Sequence, residues 1–141
     1  MDSAAALDHV GLSVGDLGSM TDWYCRILDL QPVGAFSLPA LDLKGVFVTG
    51  AGGITIELLK RAGSTPGPRP VDQPTALLTH GLGHICFRVP NVDEAHRRFI
   101  EGGATERMAP RTAPEAGVRM SFVSDPEGNF IELIDRKGPL Q

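Results

Sequence analysis

The feature that most constrains this chain is a repetition of its own sequence at a fixed interval. "LDHVGLSVGDL" (7–17) aligns with "LGHICFRVPNV" (82–92), which sets His9 on His84, since 84 − 9 = 75. The same slide, with no gap, aligns "VFVTGAGGITIELL" (46–59) with "SFVSDPEGNFIELI" (121–134). It sets Phe47 on Phe122, Gly53 on Gly128, Ile56 on Ile131 and Glu57 on Glu132, since 132 − 57 = 75. A chain written twice in this way is expected to fold as two copies of one supersecondary unit. A single offset serves two histidines and two glutamates, all four of metal-ligand type, and chance seldom arranges that.

Each copy reads as the same succession of elements. A strand over about 7–14, or 82–89, gives way at Asp16, or Asn91, to a helix, because Asp and Asn side-chain oxygens accept from the unpaired N–H groups of a first turn. Met20, Trp23, Tyr24, Ile27 and Leu28 recur at helical spacing in one copy, and Ala95, Phe99 and Ile100 in the other. Gly102 and Gly103 end the second helix. A strand near 31–36 or 105–108 follows, then a strand pair, "GVFVT" with "ITIELL" and "RMSFVS" with "FIELID". The turns "GAGG" and "DPEG" carry the glycines and proline that tight hairpins need. The predicted class is α+β, with βαβββ modules over about 5–60 and 80–137 of a single domain, 1–141. The Pro- and Gly-rich segment between them, about 61–79, reads as a linker, with a mobile loop over a site as its rival role.

Composition excludes several partners. With 141 residues and 42% hydrophobic content, the chain can bury one real core. Its net charge of −4 and scattered Lys and Arg leave no electrostatic footprint for nucleic acid. "MDSAAALDHV" has neither a basic nor a long apolar region, and no apolar run approaches the ~20 residues of a membrane helix. The expectation is a cytoplasmic protein with no membrane partner. Cys25 and Cys86 have no CxxC spacing, so neither a thiolate metal site nor a disulfide is indicated, and both are read as small buried hydrophobes.

The glutamates bring chemistry. Side chains alternate along a strand, so Glu57 shares a face with Thr55 and Leu59, and Glu132 with Phe130 and Ile134. A lone carboxylate among aliphatic neighbours costs several kcal/mol unless it is paired, hydrogen-bonded or bound to a cation. Both copies carry the same liability at the same position. If the modules pack as pseudo-symmetric halves, His9, Glu57, His84 and Glu132 converge, and two imidazoles with two carboxylates suit a divalent transition metal.

In combination, "LDHVGLSVGDLGSMTDWYCRILDL", "ITIELL", "LGHICFRVPNVDEA" and "SDPEGNFIELID" resemble the vicinal oxygen chelate superfamily, also known as the glyoxalase/bleomycin-resistance/dioxygenase superfamily, over residues 7–135. The resemblance implies a curved, partly closed mixed sheet around a central metal site, with His9, Glu57, His84 and Glu132 as ligands of one Ni, Co, Mn, Zn or Fe ion. It is closest to the glyoxalase I and methylmalonyl-CoA epimerase-like members. The extradiol dioxygenases and fosfomycin-resistance transferases use a His-His-Glu triad without a ligand at the position of Glu57. Family members that use glutathione commonly have Arg four residues after the first His and Asn four after the first Glu. Ser13 and Arg61 stand there, so glutathione dependence is unsupported.

The expected function is that of a metal-dependent isomerase, epimerase or lyase acting on a small substrate with adjacent oxygen functions, through an enediolate or enolate. Glu132 foremost, or Glu57, is the implied general base. The alternatives are a non-catalytic binding or resistance protein, with Trp23, Phe36 and Phe47 as cavity-lining or simply core aromatics, and, further off, a metal-dependent dioxygenase. The resemblance permits a site within one chain or across a domain-swapped homodimer. His80 is read as a solvated loop residue and His96 as solvent-facing beside Arg97 and Arg98. Arg111, Arg119 and Lys44 are candidates to orient an acidic substrate, with no spacing to single one out.

Overall fold

"TIELL" and "FIELID" each become a strand with one aliphatic face. Ile56 and Leu58, and likewise Ile131 and Leu133, are almost wholly buried, while Glu57 and Glu132 between them point the other way and keep partial exposure. Burying each aliphatic side chain contributes about 1.5–3 kcal/mol, which fixes the strand's facing and with it the side on which the glutamate emerges. The computed structural model describes residues 4–138. It divides into two compact units, one running to Pro66 and the other starting at Gly67.

The first unit holds β1 (Val10–Ser13), α1 (Leu17–Leu28), β2 (Gln31–Leu38), β3 (Leu43–Thr49) and β4 (Thr55–Arg61). Its sheet runs in the order β1-β4-β3-β2, with β1 parallel to β4 and the other pairs antiparallel. The second unit holds a short helix α2 (Gln73–Ala76), then β5 (Ile85–Arg88), α3 (Val92–Glu101), β6 (Thr105–Thr112), β7 (Arg119–Ser124) and β8 (Phe130–Asp135). Its sheet repeats the order as β5-β8-β7-β6, again with one parallel pair, β5 with β8. The fold is thus α+β, βαβββ twice. The registers repeat as well: Gly11 pairs with Glu57, and Cys86 with Glu132.

The helices begin where the sequence indicates. Asp16 accepts from the Ser19 amide at 2.9 Å and Asn91 from the Glu94 amide at 3.1 Å, caps worth about 1 kcal/mol each. Met20, Trp23, Tyr24 and Ile27 of α1 are buried, and the helix packs on β3 and β4. Val92, Ala95, His96 and Phe99 of α3 are buried on the second sheet. No helix among the described residues is long and apolar enough to cross a membrane.

Several expectations are corrected. His96 is not solvent-facing. It is 5% exposed, bonded through Nδ1 to Ser121 Oγ at 2.8 Å and through Nε2 to Glu106 Oε2 at 2.7 Å. It lies on the stripe 92, 95, 96, 99 that faces the sheet, where these two groups satisfy its ring. Strands β1 and β5 begin later than read, so His9 and His84 stand one residue before them. Leu7 and Leu82, which suggested longer strands, are 87% and 98% exposed. Strands β2 and β6 run further than read, to Leu38 and Thr112. Cys25 is half-buried and Cys86 exposed, rather than both buried. The connecting segment also contains α2 and buries Gln73.

Candidate metal centre

The strand mouth at each parallel pair presents a histidine to a glutamate. His9 Nε2 lies 3.5 Å from Glu57 Oε1, and His84 Nε2 lies 2.9 Å from Glu132 Oε2. Parallel pairing produces this placement: each glutamate is registered with the residue two positions after its histidine, so the side chain at the strand mouth reaches it along the sheet.

A third member comes from the central antiparallel strand. Phe47 is registered opposite Glu57 and Phe122 opposite Glu132. Each phenyl ring meets its histidine edge-on, with centroids 5.2 Å apart and an interplanar angle of 89° in both units. The perpendicular contact fixes the imidazole plane. Phe47 was read as lining or core, and its match to Phe122 in the repeat is the signal that marks both as ring supports. Trp23 is core, 4% exposed.

The far side of each imidazole is held differently. His9 Nδ1 is 2.7 Å from Asp8 Oδ2, and this bond, opposed by partial desolvation and reinforced by Glu57, raises the His9 pKa above the ordinary 6.5. His84 Nδ1 is 2.9 Å from Gln73 Nε2. In both cases Nδ1 is engaged and Nε2 faces a carboxylate, the arrangement in which imidazole nitrogens ligate metals. The side chains remain partly open, 32% and 31% for the histidines against 20% and 14% for the glutamates. The donor chemistry of each pair therefore fits a divalent ion. Each unit brings two of the four residues together, and among the described residues no group of three or more His, Cys, Asp or Glu side chains gathers at one point.

Around the second pair, the turn before β8 is set by a buried carboxylate that the sequence reading passed over. Asp125 Oδ1 accepts from the amides of Glu127 and Asn129, both at 2.9 Å, and Oδ2 accepts from Asn129 Nδ2 at 2.9 Å. Cys86, exposed as a residue, has its thiol pushed up to about 12, first by desolvation against β8 and then by the negative charge of Glu132.

A cavity of about 530 Å³ in the second unit is lined by Arg69, Thr75, His80, Gly83, Asn129 and Phe130 among others. Two of its lining residues are near that pair in sequence: Gly83 precedes His84, and Phe130 is two residues before Glu132 on β8. Arg69 is the cation the sequence reading missed. Its aliphatic stem crosses Gly128, where a Cβ would stand 3.4 Å from Arg69 Cγ and where φ is +94°. Of the cations that were singled out, Arg119 is occupied by a bidentate pair with Asp93, at 2.6 and 2.9 Å. Arg111 lies exposed on β6, and Lys44 borders a shallow depression beside Phe36 in the first unit.

Comparison with known proteins bears on the family and the fold. The family model described as "Glyoxalase/Bleomycin resistance protein/Dioxygenase superfamily" matches residues 6–133. Lactoylglutathione lyase of Escherichia coli O157:H7 is 29% identical over 129 residues, 92% of this chain and 91% of that one. Among solved structures, the glyoxalase family protein from Enterococcus faecalis superposes with a TM-score of 0.76 at 22% identity, covering 94% of this chain and 98% of that one. Glyoxalase I from Zea mays superposes with a TM-score of 0.74 at 19% identity. It covers 93% of this chain, which spans only 44% of the maize chain.

Proposed function

Because the chain belongs to the glyoxalase/bleomycin resistance protein/dioxygenase superfamily, we propose that it is a divalent-metal-dependent isomerase, epimerase or lyase acting on a small substrate with adjacent oxygen functions. The observation that carries this reading is the doubled His–Glu pair, each with its Nδ1 engaged, its Nε2 toward a carboxylate and a perpendicular phenyl ring behind it. His9, Glu57, His84 and Glu132 would hold one ion of Ni, Co, Mn, Zn or Fe, a set whose members differ more in supply and geometry than in preference for these donors. When bound, that ion supplies Lewis acidity toward two neighbouring substrate oxygens and so eases loss of the proton on the adjacent carbon.

The chain's own residues do the rest. Glu132, the more buried of the two glutamates, accepts the substrate proton and returns it, with Glu57 as the second candidate base. Glu132 lies two residues after Phe130, which lines the cavity of the second unit, and a carboxylate is a suitable general base. Phe47 and Phe122 keep the two imidazoles from turning. Ser13 and Arg61 stand where glutathione-using members commonly have Arg and Asn, so the substrate in this proposal is not a glutathione adduct, unlike that named for the E. coli relative. The two pairs form a four-ligand set only when brought together, and we take a homodimer as the assembly. Within it the two modules of each chain serve one domain function.

The test is proton exchange. Metal-reconstituted protein incubated in deuterated water with small 2-hydroxy ketones and 1,2-dicarbonyl thiol adducts, with and without glutathione, is expected to incorporate deuterium at the carbon beside the oxygen pair. Incorporation should require the metal and no glutathione. Small-molecule binding that neither needs metal nor yields exchange would instead mark the chain as a binding protein.

A further inference from the structure

We infer that Gln73 is a positioning residue for His84, retained for the hydrogen bond it gives that imidazole rather than for the stability of the fold. The inference rests on the metal-ligand reading of His84. Gln73 is 8% exposed, the only residue of α2 that is buried, and its amide meets His84 Nδ1 at 2.9 Å. Its other end, Oε1, is buried without a partner, and it is the one such side-chain atom among the described residues. A glutamine placed for stability would satisfy both ends of its amide, since a buried polar atom left unbonded costs more than an apolar replacement of the same shape. This one satisfies a single atom, and that atom faces His84.

The surroundings hold the amide in place. Helix α2 begins at Asp72, whose Oδ1 accepts from the Thr75 amide at 2.8 Å, and the Leu77 amide bonds back to the Gln73 carbonyl at 3.1 Å. On the histidine side, Gly83 leaves the room the amide occupies, for a Cβ there would stand 3.0 Å from Gln73 Nε2 and 3.2 Å from Leu77 Cδ2. Across the ring, Nε2 of His84 is 2.9 Å from Glu132 Oε2. With the Gln73 amide N–H donating to Nδ1, the ring proton is carried on Nε2, which faces the Glu132 carboxylate.

A ligating Nε2 must carry no proton, so the ring hydrogen moves to Nδ1 and needs an acceptor. A half-turn of the Gln73 amide exchanges its nitrogen and oxygen and presents Oε1 to Nδ1–H at the same separation. An amide is the side chain that serves both tautomers from one position. In the first unit Asp8 holds His9 by a carboxylate that only accepts, so the two histidines are oriented by chemically different groups.

The experiment compares wild type, Gln73→Leu, Gln73→Met and Gln73→Glu as full-length chains, reading thermal midpoint without metal, Ni²⁺ affinity by calorimetry, and the His84 tautomer by long-range ¹H–¹⁵N spectra. The expected result is that Leu and Met variants melt at or above the wild-type temperature while binding Ni²⁺ roughly 10–100-fold more weakly. Gln73→Glu should restore the affinity, because a carboxylate accepts from Nδ1–H, and should shift the metal-free ring toward the Nδ1–H tautomer. Wild-type Ni²⁺ binding left unchanged by both Leu and Met substitutions overturns the role of Gln73 and leaves the metal reading intact. A wild type that binds no divalent ion overturns the metal reading, and this inference with it.

Discussion

His84 Nε2 stands 2.9 Å from Glu132 Oε2, and the equivalent atoms of His9 and Glu57 stand 3.5 Å apart at the same place in the other module. In each pair an imidazole nitrogen faces a carboxylate oxygen, and both are atoms of the kind that ligate one divalent ion. The difference between the two pairs bears on mechanism, since the closer and more buried carboxylate is the one proposed to move the substrate proton.

Glu132→Gln should therefore lower kcat by about 10²–10⁴, the usual weight of a positioned general base, with the loss persisting at saturating metal. Glu57→Gln should act mainly through metal retention and recover much of its activity when metal is added in excess. Steady-state kinetics across a metal titration separates the two. Full activity and full metal content in Glu132→Gln would remove it from the mechanism.

Assembly can be read from complementation. Mixed dimers of His9→Ala and His84→Ala chains, each inactive alone, should regain up to one intact site per dimer if ligands are drawn from two chains, because one site then receives both unaltered modules. Unfolding and refolding the mixture before assay lets the chains exchange. No recovery would mean that each chain builds its site from its own two modules.

The His9 titration offers a check on local electrostatics. In metal-free protein its pKa should lie above 6.5 by NMR, and Asp8→Asn, which removes the largest cause of the rise, should bring it down. The sign follows for stability. The charged ring's bond to Asp8 stabilises the fold fully below the unfolded value and is lost as pH rises through the higher folded value. A folded value at or below 6.5 would contradict the placement of Asp8.

His96 is a structural residue, not a surface one. His96→Ala leaves Ser121 without its buried partner and opens a void under α3, so unfolding in urea should show a loss of about 2–4 kcal/mol. Metal affinity should not change. A loss below about 0.5 kcal/mol would place the ring outside the core.

What the sequence made legible was whatever the repeat wrote twice. His9, Glu57, His84 and Glu132 stood out because side-chain chemistry and strand register both recur at one interval, and Phe47 with Phe122 lay in the same alignment. Residues used once were hidden. Gln73 sits in a Pro-rich segment with no counterpart in the other module, and its burial depends on a short helix that no periodicity announces. His96 was masked by Asp93, Glu94, Arg97 and Arg98, since the stripe 92, 95, 96, 99 is narrow. Its acceptability there depends on Ser121 and Glu106, which only the folded sheet brings to it. Asp125 reads as an ordinary turn residue until its carboxylate is seen to accept three bonds.

In the proposed site, His9, Glu57, His84 and Glu132 bind one divalent ion. Titrating metal-stripped protein with Co²⁺, followed by visible absorption and calorimetry, should show one ion per chain with the spectrum of mixed nitrogen and oxygen ligation. Binding should be weakened strongly in each of His9→Ala, Glu57→Gln, His84→Ala and Glu132→Gln. A wild type that binds no Co²⁺, or binding that survives all four substitutions unchanged, would contradict it.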